Sequence, residues 1–259
     1  MDDSKVVIYV YSGKGGVGKS TVSVNLAYSY ALKGLKVGLI DADLSGPSIP
    51  SLVKGLENTP YNMDGLTVSP GIFEDVKINS VGFFSEEIDE TYLEGPYLHG
   101  ALHQLVFSVE WNCQVLIVDL PPGTMEIHNE LFSKLPGKVL LVSTPQEVSF
   151  SDTIRSINFI RKMDVEILGI VENMSYYNCD NCGVSEKVFE GDTRKRICEP
   201  YNIELLAEFP ISRKLNFFSN KGVPYVLQNN NCQITSKYEK LADDCFNNFN
   251  STKKRERMC

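Results

Sequence analysis

The sequence lacks any apolar run that approaches the ~20 residues needed for a membrane-spanning helix. Its acidic N-terminus, MDDSK, has neither the basic and apolar regions of a signal peptide nor the arginines of a transit peptide. Basic residues are in deficit, because 25 Lys and Arg stand against 33 Asp and Glu, a formal net charge of −8. These absences argue against stable membrane insertion and against a general nucleic-acid-binding surface, and they favour a cytoplasmic location.

Composition also argues against disorder and against a disulfide framework. Hydrophobic residues make up 42% and charged residues 22% of the 259 positions, near the averages for globular proteins. Seven cysteines in a chain without a secretory signal are interpreted as thiols or metal ligands. With no internal repeat and no linker in the pattern, we expect one domain over residues 1–259.

One stretch near the N-terminus carries a specific chemical signal. Val6 to Tyr11 is rich in β-branched residues and predicts a buried strand, and GKGGVGKST follows from Gly13. This is the spacing G-x-x-x-x-G-K-[ST] of a phosphate-binding loop, placed between a strand and a helix as the motif requires. Glycines leave the backbone N–H groups free to surround phosphate oxygens. Lys19 supplies a charge for the outer phosphates, and the Ser20 hydroxyl can ligate Mg²⁺.

Lys14, directly after the first glycine of the loop, narrows the class of ATPase. The octet GKGGVGKS resembles the deviant Walker A family, in which this second lysine reaches across a dimer to the partner's nucleotide. The resemblance therefore implies a dimer and a catalytic role for Lys14. The predicted nucleotide-binding residues of the loop are Gly13, Lys14, Gly15, Gly16, Val17, Gly18, Lys19, Ser20 and Thr21.

Two later strands are predicted to end in acidic residues, at the edge where parallel sheets bind ligands. Lys36 to Ile40 ends in Asp41-Ala42-Asp43, and Gln114 to Leu120 places Asp119 in the Walker B arrangement. We expect one acid of the first pair to cap the following turn and Asp43 to take part in the chemistry.

Cys179 and Cys182 form C-x-x-C in a polar loop expected over residues 175–184. Two thiolates at this spacing can be a redox pair, half of a zinc site or half of an iron–sulfur site. A redox pair is disfavoured because the motif does not open a helix after a thioredoxin-like first strand. A complete Cys-ligated site needs four ligands, and a two-fold symmetric dimer is the simplest way to supply them.

The motifs together resemble the Mrp/ApbC-like family of cytosolic iron–sulfur scaffold ATPases. GKGGVGKST, DADLSGPSIP, DLPPGT, ENMS and C-x-x-C occur in the family's order between about Val6 and Val226. The resemblance implies an α/β fold, with a doubly wound, mostly parallel sheet and helices on both faces. It also implies slow ATP hydrolysis, and assembly of a labile, bridging [4Fe–4S] cluster that is transferred to cytosolic and nuclear apoproteins.

The same resemblance implies roles for single residues. Asp43 would orient the attacking water and, with Ser20 and Asp119, support Mg²⁺. Asn173 would contact adenine through its amide, with the backbone of Pro210 flanking the base. A plain strand-end asparagine is the competing interpretation of Asn173.

Three departures from the family pattern qualify the resemblance. The switch segment DLPPGT usually continues with an acidic residue and His, but here Ile127 separates Glu126 from His128, so no role is assigned to His128. The cluster loop usually reads C-P-x-C, and here it holds Asp180-Asn181. The residue after ENMS is usually small, and here it is Tyr176. A four-cysteine extension does not precede the first strand, so the chain resembles the shorter of two family members, which forms homodimers or a heterotetramer with the longer one.

Two other classes stay open as alternatives. A positioning ATPase of the MinD/ParA type shares the loop and Lys14, but it needs a membrane-seeking C-terminal helix or a DNA surface and leaves the C-x-x-C unexplained. A targeting ATPase with a zinc-bridged dimer needs a long Met-rich insertion, and six scattered methionines do not make one. Reductase-type electron transfer is disfavoured because no Cys stands between Asp119 and Cys179.

Periodicity predicts several further elements. Strands near Leu66–Ser69 and Val76–Gly82 are expected to form a hairpin-like excursion. A helix is expected over 147–162 with Val148 towards the core, and an amphipathic C-terminal helix over about 235–249.

Overall fold

A computed structural model describes residues 5–58, 60–62, 68–84, 96–179, 181–228 and 232–256. Its strands are β1 (Val6–Tyr11), β2 (Val37–Asp41), β3 (Tyr61–Asn62), β4 (Val68–Ser69), β5 (Gly71–Phe73), β6 (Val76–Ser80), β7 (Val115–Asp119), β8 (Lys138–Ser143), β9 (Ile167–Asn178), β10 (Ser185–Glu186) and β11 (Leu205–Ile211). Its helices are α1 (Lys19–Leu32), α2 (Ile49–Leu52), α3 (Pro96–Val106), α4 (Glu126–Lys134), α5 (Glu147–Lys162), α6 (Glu199–Tyr201), α7 (Arg213–Lys221), α8 (Tyr225–Gln228) and α9 (Gln233–Glu256).

Nine of these strands form one sheet in the order β10-β9-β8-β1-β7-β2-β6-β5, with β11 also paired to β9. The central pairings, from β9 through β8, β1, β7 and β2 to β6, are parallel, and β11 is parallel to β9. The outer pairings of β5 with β6 and of β10 with β9 are antiparallel. The predicted mostly parallel α/β sheet is confirmed.

The central strand β1 shows why both faces of the sheet are covered. All six of its residues are buried, and they alternate between two hydrophobic cores. Ile8 and Val10 face a core that Leu26 of α1 and Leu241 of α9 complete. Val7, Tyr9 and Tyr11 face a second core built with α3, α4 and α5. Helices therefore lie on both faces, as the doubly wound arrangement requires.

Parallel register brings acidic side chains together at one edge. Asp119 at the end of β7 lies opposite Asp41 of β2 on one side and Val10 of β1 on the other. The phosphate-binding loop leaves β1 directly beyond Val10 and leads into α1. The loop and both acids consequently share the carboxyl edge of the sheet.

The predicted excursion after α2 folds differently from expectation. β6 pairs antiparallel with β5, Gly71–Phe73, rather than with a strand near Leu66–Ser69, and it also joins β2 in parallel. Glu74 and Asp75, with φ of 46° and 62°, make the two-residue turn. β4 instead pairs with β3, and residues 63–67 lie outside the described part of the chain.

Two predicted helices, α5 and α9, are present but differ from their predictions in detail. α5 covers the expected residues, but Val148 is 63% exposed, so its predicted place in the core is wrong. Phe150 and Ile157 define the buried face, and two residues turn a helix by about 200°, which puts Val148 on the other side. α9 extends beyond the predicted 235–249 at both ends. No helix in the described part of the chain is both long and apolar enough to span a membrane.

The packing of α9 on α1 gives a testable prediction. Leu241→Ala should lower the free energy of unfolding by about 3 kcal/mol, because Leu241 is fully buried and its removal leaves a cavity. Leu32→Ala on α1, where the side chain is 47% exposed, should change it by less than about 0.5 kcal/mol. Urea denaturation followed by circular dichroism measures both, and equal effects would contradict this packing.

Candidate functional site

The phosphate-binding loop is held in shape by its glycines. Gly16 and Gly18 have φ of 79° and 84°, a backbone region that side chains disfavour. A Cβ on Gly18 would overlap the amide of Asn173, and a Cβ on Gly13 would overlap the backbone carbonyl of Asp152. The loop is thus wedged between β9 and α5, and only glycine fits at these contacts.

A cleft of about 430 Å³ lies over the loop. Its other walls come from Asp43 after β2, from α2 with the two residues before it, and from Pro122 after β7. The predicted loop residues that line it are Lys14, Gly15, Gly16, Gly18, Lys19, Ser20 and Thr21. Val17 is instead buried in the apolar core. The structure therefore assembles the loop and Asp43 around one cavity.

Asp119 is the centre of the contacts beneath this cleft. Its side chain is fully buried and accepts hydrogen bonds from the hydroxyls of Ser20 and Ser23, each at 2.6 Å. Lys19 Nζ lies 3.0 Å from the same carboxylate. A buried carboxylate is stable only with such partners. The hydroxyl of Ser20 and the carboxylate of Asp119 are oxygen donors side by side, a set that fits Mg²⁺.

Asp41 is the acid that caps a turn. Its carboxylate accepts hydrogen bonds from the backbone N–H groups of Ser48 and Ile49, both at 3.0 Å, where α2 begins. The Ser80 hydroxyl donates a further bond at 3.0 Å. Burial raises the pKa of Asp41 to about 7, and the neighbouring charge of Asp119 adds to the rise. The expectation that one acid of the Asp41–Asp43 pair is a cap is confirmed.

Asp43 has a different environment from Asp41. It is half-buried, lines the cleft and accepts one backbone hydrogen bond, from Gly46 N at 3.2 Å. Burial raises the pKa of Asp43, while the positive charge of Lys19 opposes the rise. A carboxylate with spare acceptor capacity at the wall of the cleft can orient a water molecule.

Lys14 is the second residue of the phosphate-binding loop motif. Its side chain is half-buried and lines the cleft, and its backbone carbonyl accepts a hydrogen bond from Ser12 at 3.0 Å. Within the described part of the chain it makes no ion pair. Its predicted action across a dimer stays a prediction.

The two predicted adenine contacts lie in different places. The Asn173 amide donates to the Val17 carbonyl at 2.9 Å, so it braces the phosphate-binding loop. Pro210 is buried on β11 opposite Tyr176, and it lines a second cleft of about 200 Å³ beside Asn178. The structure thus brings Asn173 to the loop and does not bring Pro210 to the first cleft. Their contacts with adenine remain predictions.

The C-x-x-C lies at the tip of a β-hairpin. β9 continues to Asn178, so the turn is narrower than the predicted loop over 175–184. Cys179 N donates to Val184 O and Gly183 N donates to Cys179 O, both at 2.9 Å. Cys179 is half-buried and Cys182 is exposed. The hairpin presents both sulfurs within one short, hydrogen-bonded turn.

Burial affects the ionisation of three cysteines outside this hairpin. Burial raises the pKa of Cys113 and Cys245, and it raises the pKa of Cys198 to about 11. Since the thiolate is the metal-binding form, these three thiols are poor ligands. Within the described residues, no group of three or more His, Cys, Asp or Glu side chains is placed to hold a metal ion.

Several contacts of the site were missed from sequence. Ser23 is three residues beyond Ser20 on α1, so helical spacing alone could have placed both hydroxyls on one face. Ser80 lies at the end of β6, far from Asp41 in the chain, and only the parallel register of β2 and β6 joins them. No short-range signal predicts the second kind of contact.

Known proteins resemble this chain in sequence over most of its length. A profile of the family described as "ParA: NUBPL iron-transfer P-loop NTPase" matches residues 3–246. The iron-sulfur cluster carrier protein of Escherichia coli (strain K12) is 36% identical over 241 residues, which are 92% of this chain and 65% of that protein. The iron-sulfur cluster transfer protein NUBPL of Dictyostelium discoideum is 35% identical over 244 residues, 93% of this chain and 75% of that protein. The chain thus spans just under two thirds of the E. coli relative.

Solved structures agree with the fold. A nucleotide-binding protein of Archaeoglobus fulgidus in complex with ADP, with Co found, superimposes with a TM-score of 0.72 and 34% identity. The match covers 86% of this chain and 88% of that chain. The cell division ATPase MinD of Pyrococcus furiosus gives a TM-score of 0.64 at 21% identity over 92% of this chain and 97% of that one, a likeness of fold.

The contacts of Asp119 generate a prediction with a matched control. Ser23→Ala should weaken nucleotide binding in the presence of Mg²⁺ by roughly 1 to 2 kcal/mol, or roughly 5- to 30-fold in Kd, because it removes a hydrogen bond to a buried carboxylate. Ser29→Ala removes a buried serine of the same helix whose hydroxyl donates only to Asn25 O at 2.8 Å. Calorimetry with ADP should show the loss for Ser23→Ala alone, and the same loss for both variants would refute the role of Ser23.

Proposed function

We propose that this chain, which belongs to the family of NUBPL iron-transfer P-loop NTPases, is an ATP-binding scaffold for a labile [4Fe–4S] cluster. The cluster is assembled on the C-x-x-C of a dimer and then transferred to apoproteins. The observation that supports this most directly is the continuous strand β9. Asn173 on this strand holds the phosphate-binding loop, and Cys179 follows directly after the strand's last residue, Asn178.

The C-x-x-C hairpin supports the cluster half of the proposal. It offers two sulfurs at an accessible tip, and a Cys-ligated cluster takes four. A second copy of the chain, or a longer relative with the same motif, supplies the other two through a two-fold axis. Relatives named as carrier and transfer proteins of iron–sulfur clusters support transfer to client apoproteins. The cluster is cargo in this proposal, which is why an exposed site suits it.

The cleft supports the nucleotide half. ATP binds over the bare loop, with Lys19 beside its outer phosphates. Ser20, Asp119 and Asp43 hold Mg²⁺, which supplies charge neutralisation for the phosphates. Asp43, whose pKa burial raises, orients the attacking water, and Lys14 acts on the partner's nucleotide. Hydrolysis is slow, and it changes the loop that Asn173 contacts, so β9 conveys the change to the cysteines.

A positioning ATPase of the MinD type would share this fold, so the cysteines decide between the two functions. Anaerobic reconstitution with iron and sulfide should give about four iron and four sulfide per dimer. The double variant Cys179→Ala/Cys182→Ala should bind neither iron nor sulfide. The control Cys113→Ala/Cys198→Ala should bind both, because the wild-type thiols of Cys113 and Cys198 ionise poorly. Iron, acid-labile sulfide and zinc are measured together. About one zinc per dimer without sulfide would refute the scaffold and favour the zinc-bridged targeting ATPase.

The action of Lys14 in trans is tested by mixing subunits. Lys14→Ala and Lys19→Ala should each be inactive alone, since the first lacks the lysine supplied to its partner and the second lacks the phosphate contact. In a mixed dimer, the Lys14→Ala subunit binds ATP and receives Lys14 from the other subunit. An equal mixture should therefore recover about a quarter of wild-type ATP hydrolysis, because half of the dimers are mixed and each has one complete site. No recovery in mixed dimers verified by mass spectrometry would place Lys14 in its own site.

A further inference from the structure

His128 is a buried titratable group that the proposed mechanism does not use. It is fully buried at the start of α4, beneath the segment 121–124 that follows β7. The rings of Tyr11, Phe159 and Phe132 surround it with centroids at 4.9, 5.9 and 6.2 Å. Burial lowers the pKa of His128, so its imidazole is neutral at physiological pH.

Two backbone contacts select one tautomer of this neutral ring. Nε2 lies 3.1 Å from the carbonyl oxygen of Pro121, which can only accept a hydrogen bond, so Nε2 carries the proton. Nδ1 lies 3.0 Å from the backbone nitrogen and 3.1 Å from the carbonyl oxygen of Met125. Since Nδ1 carries no proton in this tautomer, it accepts a hydrogen bond from the Met125 N–H. The same ring therefore donates to one end of the segment and accepts from the other end.

Tyr11 holds the middle of the segment from the same side. Its hydroxyl donates to the Gly123 carbonyl at 2.6 Å, and the Gly123 N–H donates to Ser12 O at 3.1 Å. The carbonyls of Pro121 and Gly123 and the N–H of Met125 are thus each hydrogen-bonded to the side chain of His128 or Tyr11. Pro122, between them, lines the nucleotide cleft.

We propose that His128 is a positioning residue for nucleotide hydrolysis, holding the segment 121–125 together with Tyr11 so that Pro122 and its backbone face the cleft in one geometry. The inference rests on the proposed function, because hydrolysis at the cleft is part of that function. His128 does not touch the cleft, and its effect is exerted through the backbone it fixes. The sequence assigns no role to His128, because Ile127 separates it from Glu126.

The test replaces the ring and then restores its polar groups. His128→Phe keeps the aromatic packing and removes both hydrogen bonds, so kcat for ATP should fall by about tenfold or more while Kd for ADP stays within about threefold. His128→Gln can donate through its amide nitrogen and accept through its amide oxygen, so it should recover most of kcat. A histidine with only a structural role would give neither a loss of kcat at nearly constant Kd nor the recovery of kcat in His128→Gln. Unchanged kcat in His128→Phe would overturn the proposal.

Two tyrosines of β1 provide a matched pair if His128→Phe does not fold. Tyr11→Phe removes the hydrogen bond to Gly123, whereas Tyr9→Phe removes hydrogen bonds to Leu131 O and Leu135 O at the far end of α4. Tyr11→Phe alone should lower kcat, and equal effects of the two would overturn the proposal.

Hydrogen exchange separates this inference from the proposed function. Amides of Gly123 and Met125 should exchange at least about fivefold faster in His128→Phe and Tyr11→Phe than in wild type and Tyr9→Phe. Hydrogen exchange does not depend on turnover. A wild-type protein that hydrolyses no ATP would therefore refute the proposed hydrolysis, while hydrogen exchange would still test whether His128 and Tyr11 hold the segment 121–125. Unchanged exchange in both His128→Phe and Tyr11→Phe would overturn the proposal for His128.

Discussion

The buried carboxylate of Asp119 accepts hydrogen bonds from Ser20 and Ser23 and faces the ammonium of Lys19. A charge at this depth costs several kcal/mol unless it is paired and hydrogen-bonded. All three partners lie on the first turns of α1, so the requirement pins the start of that helix to the end of β7. The shape of the phosphate-binding loop, which connects β1 to this helix, follows from the same constraint.

Burial gives neighbouring acids different tasks. Asp41 is closed in by the backbone of α2 and by Ser80, so its capacity to accept hydrogen bonds is used within the fold. Asp43, two residues further, keeps a place at the wall of the cleft. Asp41 therefore stabilises the fold, while Asp43 is available to ligands at the wall of the cleft. Asp41 caps α2, and Asp43 lines the same cleft as Lys19.

Two routes connect the loop to the rest of the molecule. β9 leads from the Asn173–Val17 contact to the C-x-x-C hairpin, and the segment after β7 is held between Tyr11 and His128. Under the proposed function, the first route carries the nucleotide state to the cluster. The second keeps the phosphate-facing segment in register. In both routes a side chain holds a backbone carbonyl, so a small change in the loop reaches either one.

The sequence by itself determined the strands β1, β2 and β7, the phosphate-binding loop with Lys19 and Ser20, and the turn that holds Cys179 and Cys182. These are encoded by contiguous residues, since burial, loop conformation and ligand spacing act over a few positions. Only the tertiary structure decided which acid caps α2, that β5 rather than a segment near 66–69 pairs with β6, that Val148 faces outwards, and that His128 holds Pro121. Each of these depends on strand register, on burial or on a hydrogen bond that forms only in the folded chain, which short-range patterns do not encode.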